Sequence, residues 1–286
     1  MAYEVISWSI GDREQVLTGQ GWLSVAGWRG FDMADFEYIE DEIPFDYGSY
    51  LKKVKIRPRE MDIDLIIRGT SRADLFQRIR YLRSLFNSSK GVPGKLKILA
   101  PDGEERYINC LYKEGMEGQT ETVDLTTHIR RMTVTFRAFD PFFYGQETTK
   151  IFQLNENPPK WFPIFPLTLG GDAVTSQIDI ENFGDCDAYP TWTIYGPGAA
   201  PRLTNLTTNK VLSLEFIELD SMQSITIDTK TPRILLDDGT NLLPYLSWGS
   251  TFWTLQTGLN RIKIEMADAD ANSRIEIAYR PRFLGV

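Results

Sequence analysis

Period two dominates the chain. Met61, Ile63, Leu65 and Ile67 alternate with Glu60, Asp62, Asp64 and Arg68, and only Ile66 interrupts the polar side. Met132, Val134, Phe136 and Ala138 stand in the same relation to Arg131, Thr133, Thr135 and Arg137. Side chains two apart share one face of a strand, so each run predicts a strand with a single buried face. Shorter strands are predicted in KLKIL from Lys95 and RYINCLY from Arg106, with the turn Pro101-Asp102-Gly103 between them.

One segment departs from that period. In SRADLFQRIRYLRSLF, Leu75, Ile79, Leu82 and Phe86 recur at helical spacing, and Phe76 widens the stripe. Ser71 and Asp74 form an S-x-x-D start signal, and the stretch Asn87 to Pro93 supplies the stop, which predicts a helix over about 71–87. Arg72, Arg78, Arg80 and Arg83 fall off the stripe. Burying five large apolar side chains contributes on the order of 8–15 kcal/mol gross, so the helix must pack on a sheet.

The texture changes near the middle. FRAFDPFFYG (136–145) ends the alternation at Ala138 and sets a lone carboxylate, Asp140, among aromatics before a proline. Pro141 removes a ladder donor and holds Asp140 out of helical geometry. Asp140, Pro141, Phe142, Phe143 and Tyr144 are therefore expected to form the seam between two domains, 1–145 and 146–286, with Asp140 capping a turn. NENPPKWFPIFP (155–166) carries four prolines and is expected to be an extended connector. Beyond it, QIDIEN, TWTIYG, KVLSLEF and SITIDT are predicted strands, and RIKIEM and RIEIAY a final pair. No helical pattern follows residue 150. The expected fold is mainly β: an N-terminal β-barrel or sandwich with one packed helix, then a second β-sandwich.

Composition narrows the function by exclusion. A chain of 286 residues with 42% hydrophobic and 24% charged residues has room for two buried cores. Its net charge of −8 opposes general nucleic-acid binding, which requires basic surface. No apolar run approaches the roughly 20 residues that span a bilayer, and no signal peptide is evident in the first residues. Cys110 and Cys186 are expected to be free thiols, in keeping with assembly in a cytoplasm.

Candidate chemistry is sparse. His128 is the only histidine, without a G-x-S-x-G motif to serve, and one histidine with two separated cysteines makes no zinc set. Asp268, Asp270 and Asn272 resemble the opening of a calcium loop. Ser273 stands where glycine is needed and Tyr279 where the bidentate glutamate is needed, so a polar hairpin loop is expected. No catalytic, cofactor-binding or metal residue is assigned, and the chain is not expected to be an enzyme. Trp192 alternates with Ile194 and is expected in the core; Trp248 and Trp253 are candidate sugar contacts.

As an ordered set the segments are more specific. Gly27–Trp28, DEIPFDYGSYLKKVKIRPREMDIDLIIRG, the helix RADLFQRIRYLRSLFN, GKLKILAPDGEERYINC and TVTFRAFDPFFYG follow one another in the first half. Asn182 to Asp185, Tyr189–Pro190, Asp228–Thr229, Gly258 with Asn260, and the closing YRPRFLGV mark the second. In that order they resemble the distal tail protein (Dit) family of long-tailed siphophages, mainly those infecting Gram-positive bacteria. The resemblance implies a structural hub of the tail tip or baseplate. Six copies would form a ring through their first domains, between the tail tube protein and the tail-tip protein, with DNA passing through the lumen without specific binding. It implies a galectin-like second domain projecting outward, in some cases as a dock for receptor-binding protein, and a place at the distal end of the virion tail after assembly in the host cytoplasm. No cofactor and no membrane partner is implied. Glu40, Asp41, Glu42 and Asp46, in an acidic run, are the candidate contact with a neighbouring subunit or the tube. The alternative function is a carbohydrate-binding module for the host cell wall; a β-rich glycosidase stands behind it.

Overall fold

The computed structural model describes residues 4–19, 21–117, 128–153, 173–270 and 272–286. The chain divides into two compact units, Met1–Gly145 with Phe283–Val286, and Gln146–Arg282. The second unit is thus inserted into the first along the chain, with four residues returning to complete it.

The first unit is an antiparallel sheet in the order Arg13–Val16, Val5–Ile10, Gly94–Leu99, Glu105–Gly115, Ile129–Ala138, Arg59–Arg68, Leu23–Arg29. Met61, Ile63, Leu65 and Ile67 are buried and face the core. The neighbouring strand sets Phe136 opposite Met61, Val134 opposite Ile63 and Met132 opposite Leu65. A one-residue slip would turn both apolar rows to solvent, so the alternation itself holds the register.

The helix Arg72–Leu85 starts as its sequence signal predicts. Ser71 Oγ accepts from the Asp74 amide at 3.1 Å, and Asp74 Oδ2 accepts from the Thr70 amide at 2.8 Å. One orphan donor of the first turn is thereby satisfied, and the amide just before the N-cap is tied to the helix. Leu75, Ile79, Leu82, Leu85 and Phe86 are buried on the sheet, whereas Phe76 is exposed. Phe76 lies about 100° round the helix from Leu75 and falls off the stripe that it was expected to widen. Trp8 locks helix to sheet: it stacks on Phe136 at 4.5 Å, meets Phe86 edge-on at 5.9 Å, and its Nε1 donates to Leu85 O at 3.2 Å.

The second unit holds two five-stranded antiparallel sheets. One runs Thr148–Gln153, Arg274–Tyr279, Thr191–Tyr195, Ser224–Asp228, Arg233–Leu236. The other runs Ala173–Asn182, Gly258–Ala267, Gly198–Asn205, Lys210–Ser213, with Glu218–Leu219 beside Gly198–Asn205. Trp192, Ile194, Ile227 and Ile277 from the first share one core with Leu203, Ile262, Ile264 and Met266 from the second. The mainly β fold with one packed helix therefore stands.

Two expectations are corrected. RIKIEM and RIEIAY are not a pair, because Gly258–Ala267 bonds to Ala173–Asn182 and Gly198–Asn205, while Arg274–Tyr279 bonds to the opposite sheet. These two strands therefore close no hairpin, and the polar hairpin loop expected at Asp268 to Ser273 is corrected with them. Gly198–Asn205 was hidden by Pro197 and Pro201. The register shift between Ala199 and Arg202 absorbs Pro201, which cannot donate to a ladder. The connector expected at 155–166 lies outside the described residues.

Candidate functional site

The acidic run lies on a two-stranded ribbon, here called the arm, that pairs with no other strand among the described residues. Its strands, Phe36–Glu42 and Ser49–Ile56, pair with Tyr38 opposite Val54, Ile39 opposite Lys53, Glu40 opposite Leu51 and Asp41 opposite Tyr50, with a bulge between Ile39 and Glu40. Period two sorts the ribbon into two faces. Phe36, Tyr38, Leu51, Val54 and Ile56 share one face with Glu40 and Glu42; Glu37, Ile39, Asp41, Tyr50, Lys53 and Lys55 share the other. At the tip Phe45 adopts φ 65° and is 108% exposed, and Tyr47 is 97% exposed.

Glu40, Asp41, Glu42 and Asp46 are all exposed. Several already have partners within the arm. Asp41 pairs with Lys52, Glu40 Oε2 accepts from Ser49 Oγ at 2.5 Å, and Asp46 Oδ1 accepts from the Tyr47 amide at 2.7 Å. Such exposed pairs contribute about 0–1 kcal/mol each. They leave uncovered a row of Phe36, Tyr38, Leu51 and Val54 that runs toward Glu40 and Glu42 on the same face, and an isolated two-stranded ribbon is marginal in water. What the sequence shows as an acidic patch is therefore an arm of mixed faces, and its exposed aromatic side chains are as prominent as its carboxylates.

The residues expected at the seam sit in the first unit. Asp140 Oδ2 accepts from Tyr144 Oη at 2.6 Å, Phe143 is fully buried, Tyr144 pairs with Tyr107, and the chain leaves the unit at Gly145. Pro141 O accepts from Arg59 Nε at 3.1 Å. Arg59 is a buried guanidinium that sequence reasoning passed over, since a single arginine at the head of a strand carries no pattern. Burial lowers its pKa, and Asp35 and Asp32 partly offset that.

The two tryptophans separate. Trp248 is 102% exposed beside Gly249, which has φ 83°. Trp253 is 1% exposed and packs edge-on to Trp192 at 5.5 Å, so it belongs to the core and its candidacy as a sugar contact is withdrawn. Its place opposite a strand tryptophan in a sandwich core could not be read from SWGSTFW alone. Asp270 is occupied by its own turn, accepting from the Asn272 amide at 2.7 Å, and no group of three metal-ligating side chains occurs among the described residues. Cys110 and Cys186 are free, and burial pushes the Cys110 thiol far above its ordinary range. No helix among the described residues is long and apolar enough to cross a membrane.

Comparison with known proteins agrees with this architecture in both halves. Residues 21–138 match the family described as phage tail protein RIFT-related domain, and residues 183–283 match the siphovirus-type tail component, C-terminal domain. Among solved structures, the SPP1 Dit (gp 19.1) protein, described as a paradigm of the hub adsorption apparatus in phages infecting Gram-positive hosts, is similar at TM-score 0.73. That likeness has 18% identity and covers 99% of this chain and 100% of the other. Chains of the phage P2 baseplate in its activated conformation with calcium, and with strontium, are similar at TM-score 0.52. Their identities are 11% and 10%, and they cover 98% and 97% of this chain and 98% of theirs in both cases. At such identities the likeness to solved structures speaks for the fold alone. No curated protein matches the chain.

Proposed function

The chain belongs to the siphophage distal tail protein family, as a structural tail-hub component and not an enzyme, and from that premise we propose that six copies close into a ring through the first unit. The ring joins the tail tube protein to the tail-tip protein at the distal end of the tail, and DNA passes through its lumen. It assembles in the host cytoplasm. The second unit, a galectin-like sandwich, reaches outward and in some particles carries receptor-binding protein. The seam at Asp140–Tyr144 separates the ring-forming half from the outward-reaching half.

The arm carries this reading. A ring needs two different, complementary surfaces on each subunit, in a heterologous contact that closes. A ribbon with an uncovered row of Phe36, Tyr38, Leu51 and Val54, beside Glu40, Asp41 and Glu42, supplies one such surface. The neighbouring copy or the tube above supplies the cover. A net charge of −8 suits the conduit, because carboxylates on an inner wall repel phosphate; a mainly basic inner wall would contradict that part.

Native mass spectrometry tests the ring. The wild-type chain, at high concentration or with its tail-tip partner, is expected to give a discrete hexamer. Reversal of Glu40, Asp41 and Glu42 to Lys is expected to leave a folded monomer that no longer closes. Unchanged assembly by the reversed variant would remove the arm from the interface. The carbohydrate-binding reading retains one observation, the fully exposed Trp248; cell-wall polysaccharide pull-down with wild type and Trp248→Ala decides it.

A further inference from the structure

Three segments of the first unit, distant in sequence, end on one side chain. Arg59 follows the arm directly and is 6% exposed. Its Nε donates to Pro141 O at 3.1 Å, its Nη1 to Gly30 O at 2.9 Å and Asp32 O at 2.6 Å, and its Nη2 to Leu284 O at 2.5 Å. The guanidinium lies 4.9 Å from the centroid of the Phe143 ring, which stacks on Phe31 at 6.3 Å. All four acceptors are backbone carbonyls.

Each carbonyl belongs to a segment with its own destination. Gly30 and Asp32 form the root from which the arm starts at Phe36. Pro141 lies where the chain leaves the unit, and Leu284 lies where it has returned. The return segment is fastened twice more. Arg106 Nη1 donates to Gly285 O at 2.9 Å, with its guanidinium 3.8 Å from the Phe283 ring, and the Val286 amide donates to Phe31 O at 3.1 Å. Gly285 passes so near the arm root that an added Cβ would stand 3.0 Å from the Asp32 carbonyl.

A planar fork of five donors can hold carbonyls arriving from several directions at once; an ammonium, with three donors on one atom, cannot span them. Loosening any one segment leaves part of a buried guanidinium unsatisfied, and that weakens its hold on the rest. We infer that Arg59 is a mechanical joint, coupling both chain ends of the inserted second unit to the root of the arm. A pull on the exit or return segment is thereby felt at Gly30–Asp32. This goes beyond the ring reading and stands independently of it, because every bond lies within one chain.

Hydrogen exchange on the full chain tests the joint. Deleting residues 284–286 takes the Leu284 carbonyl from Arg59 and also removes the direct Val286–Phe31 bond at the root, so the exit segment, held through Pro141 O, is read beside the root. Exchange is expected to quicken about tenfold at 141–145 as well as at 30–42, with the second unit's core strand Thr191–Tyr195 unchanged. Quickening at 30–42 alone would trace to the lost direct bond and overturn the joint. Quickening confined to the strand that carries Arg106 would overturn the inference. Arg59→Lys keeps the charge and a long side chain, and tests the joint independently. It is expected to quicken 30–35, 141–145 and 283–286 together, and quickening of only one of the three would overturn the joint. Loss of protection across the whole sheet in both variants also counts against it, since a joint leaves the sheet standing.

Discussion

Gly94 and Trp8 give a sharp test of how the first core is packed. Gly94 opens the strand Gly94–Leu99 against the Trp8 indole, and an added Cβ would stand 2.3 Å from Trp8 Cζ2 and 2.6 Å from Cη2. Carbon contacts are ordinarily about 3.5–4.0 Å. The indole has nowhere to retreat: it is fully buried, stacked on Phe136 and tied through Nε1 to Leu85 O at the end of the helix. Gly94→Ala must therefore shift a strand or turn the ring. Overpacking of this kind costs about 1–3 kcal/mol, and losing the Leu85 bond adds about 1 kcal/mol. For a unit of this size the sum predicts a fall in Tm of roughly 5–15 °C. Trp8→Phe removes the colliding atoms. Alone it costs about 2–3 kcal/mol in cavity and lost bond, but when combined with Gly94→Ala the new methyl fills part of the space. The double variant is expected to cost less than the sum of the singles by at least ~1 kcal/mol. Scanning calorimetry of the full chain, with the first unit's transition moving and the second unit's fixed, measures all four proteins. A neutral Gly94→Ala, or an additive cycle, would refute the pinned indole.

Three further expectations rest on single sites. Trp253→Ala should cost about 3–5 kcal/mol in urea unfolding and Trp248→Ala less than ~0.5 kcal/mol; equal effects would undo the assignment of one to the core and the other to the surface. Ile79→Asp should leave the first unit molten or insoluble, because it sets a carboxylate against the sheet; unchanged melting would refute the helix packing. The Thr70 amide and then the Arg78 side chain hold the Asp74 carboxyl below its ordinary pKa. A depressed folded pKa means that the stabilisation is present above the unfolded value and is lost as pH falls through the folded one. Asp74→Asn should thus destabilise at neutral pH, with the difference closing in acid; a gap that persists at low pH would contradict the capping role.

Much of the fold was legible because local pattern and tertiary burial coincide. The runs at 60–68 and 131–138 alternate so cleanly that the buried face of each follows from them, and Ser71 with Asp74 marks the helix start. The candidate interface was only half legible. Glu40, Asp41 and Glu42 stand out as charge, whereas Tyr38, Leu51 and Val54 carry no signal in sequence and only the strand pairing sets them on one face. Trp248 and Trp253 are five residues apart in one aromatic stretch, and nothing local separates a core tryptophan from an exposed one.

Period, polarity and punctuation come from the chain alone: which residues form strands, where the one helix begins, and that little resembles a catalytic constellation. Those properties arise from neighbours within a few residues and from the rotation of side chains about the backbone. Partnership across the fold emerges in three dimensions. RIKIEM and RIEIAY are adjacent in sequence yet lie in opposite sheets, and Phe283–Val286 ends a chain whose preceding residues belong to another unit. Arg59 gathers carbonyls from residues 30, 32, 141 and 284. A buried guanidinium must find acceptors wherever the fold brings them, and backbone carbonyls are the same at every residue, so no side-chain pattern could have announced which ones it would meet.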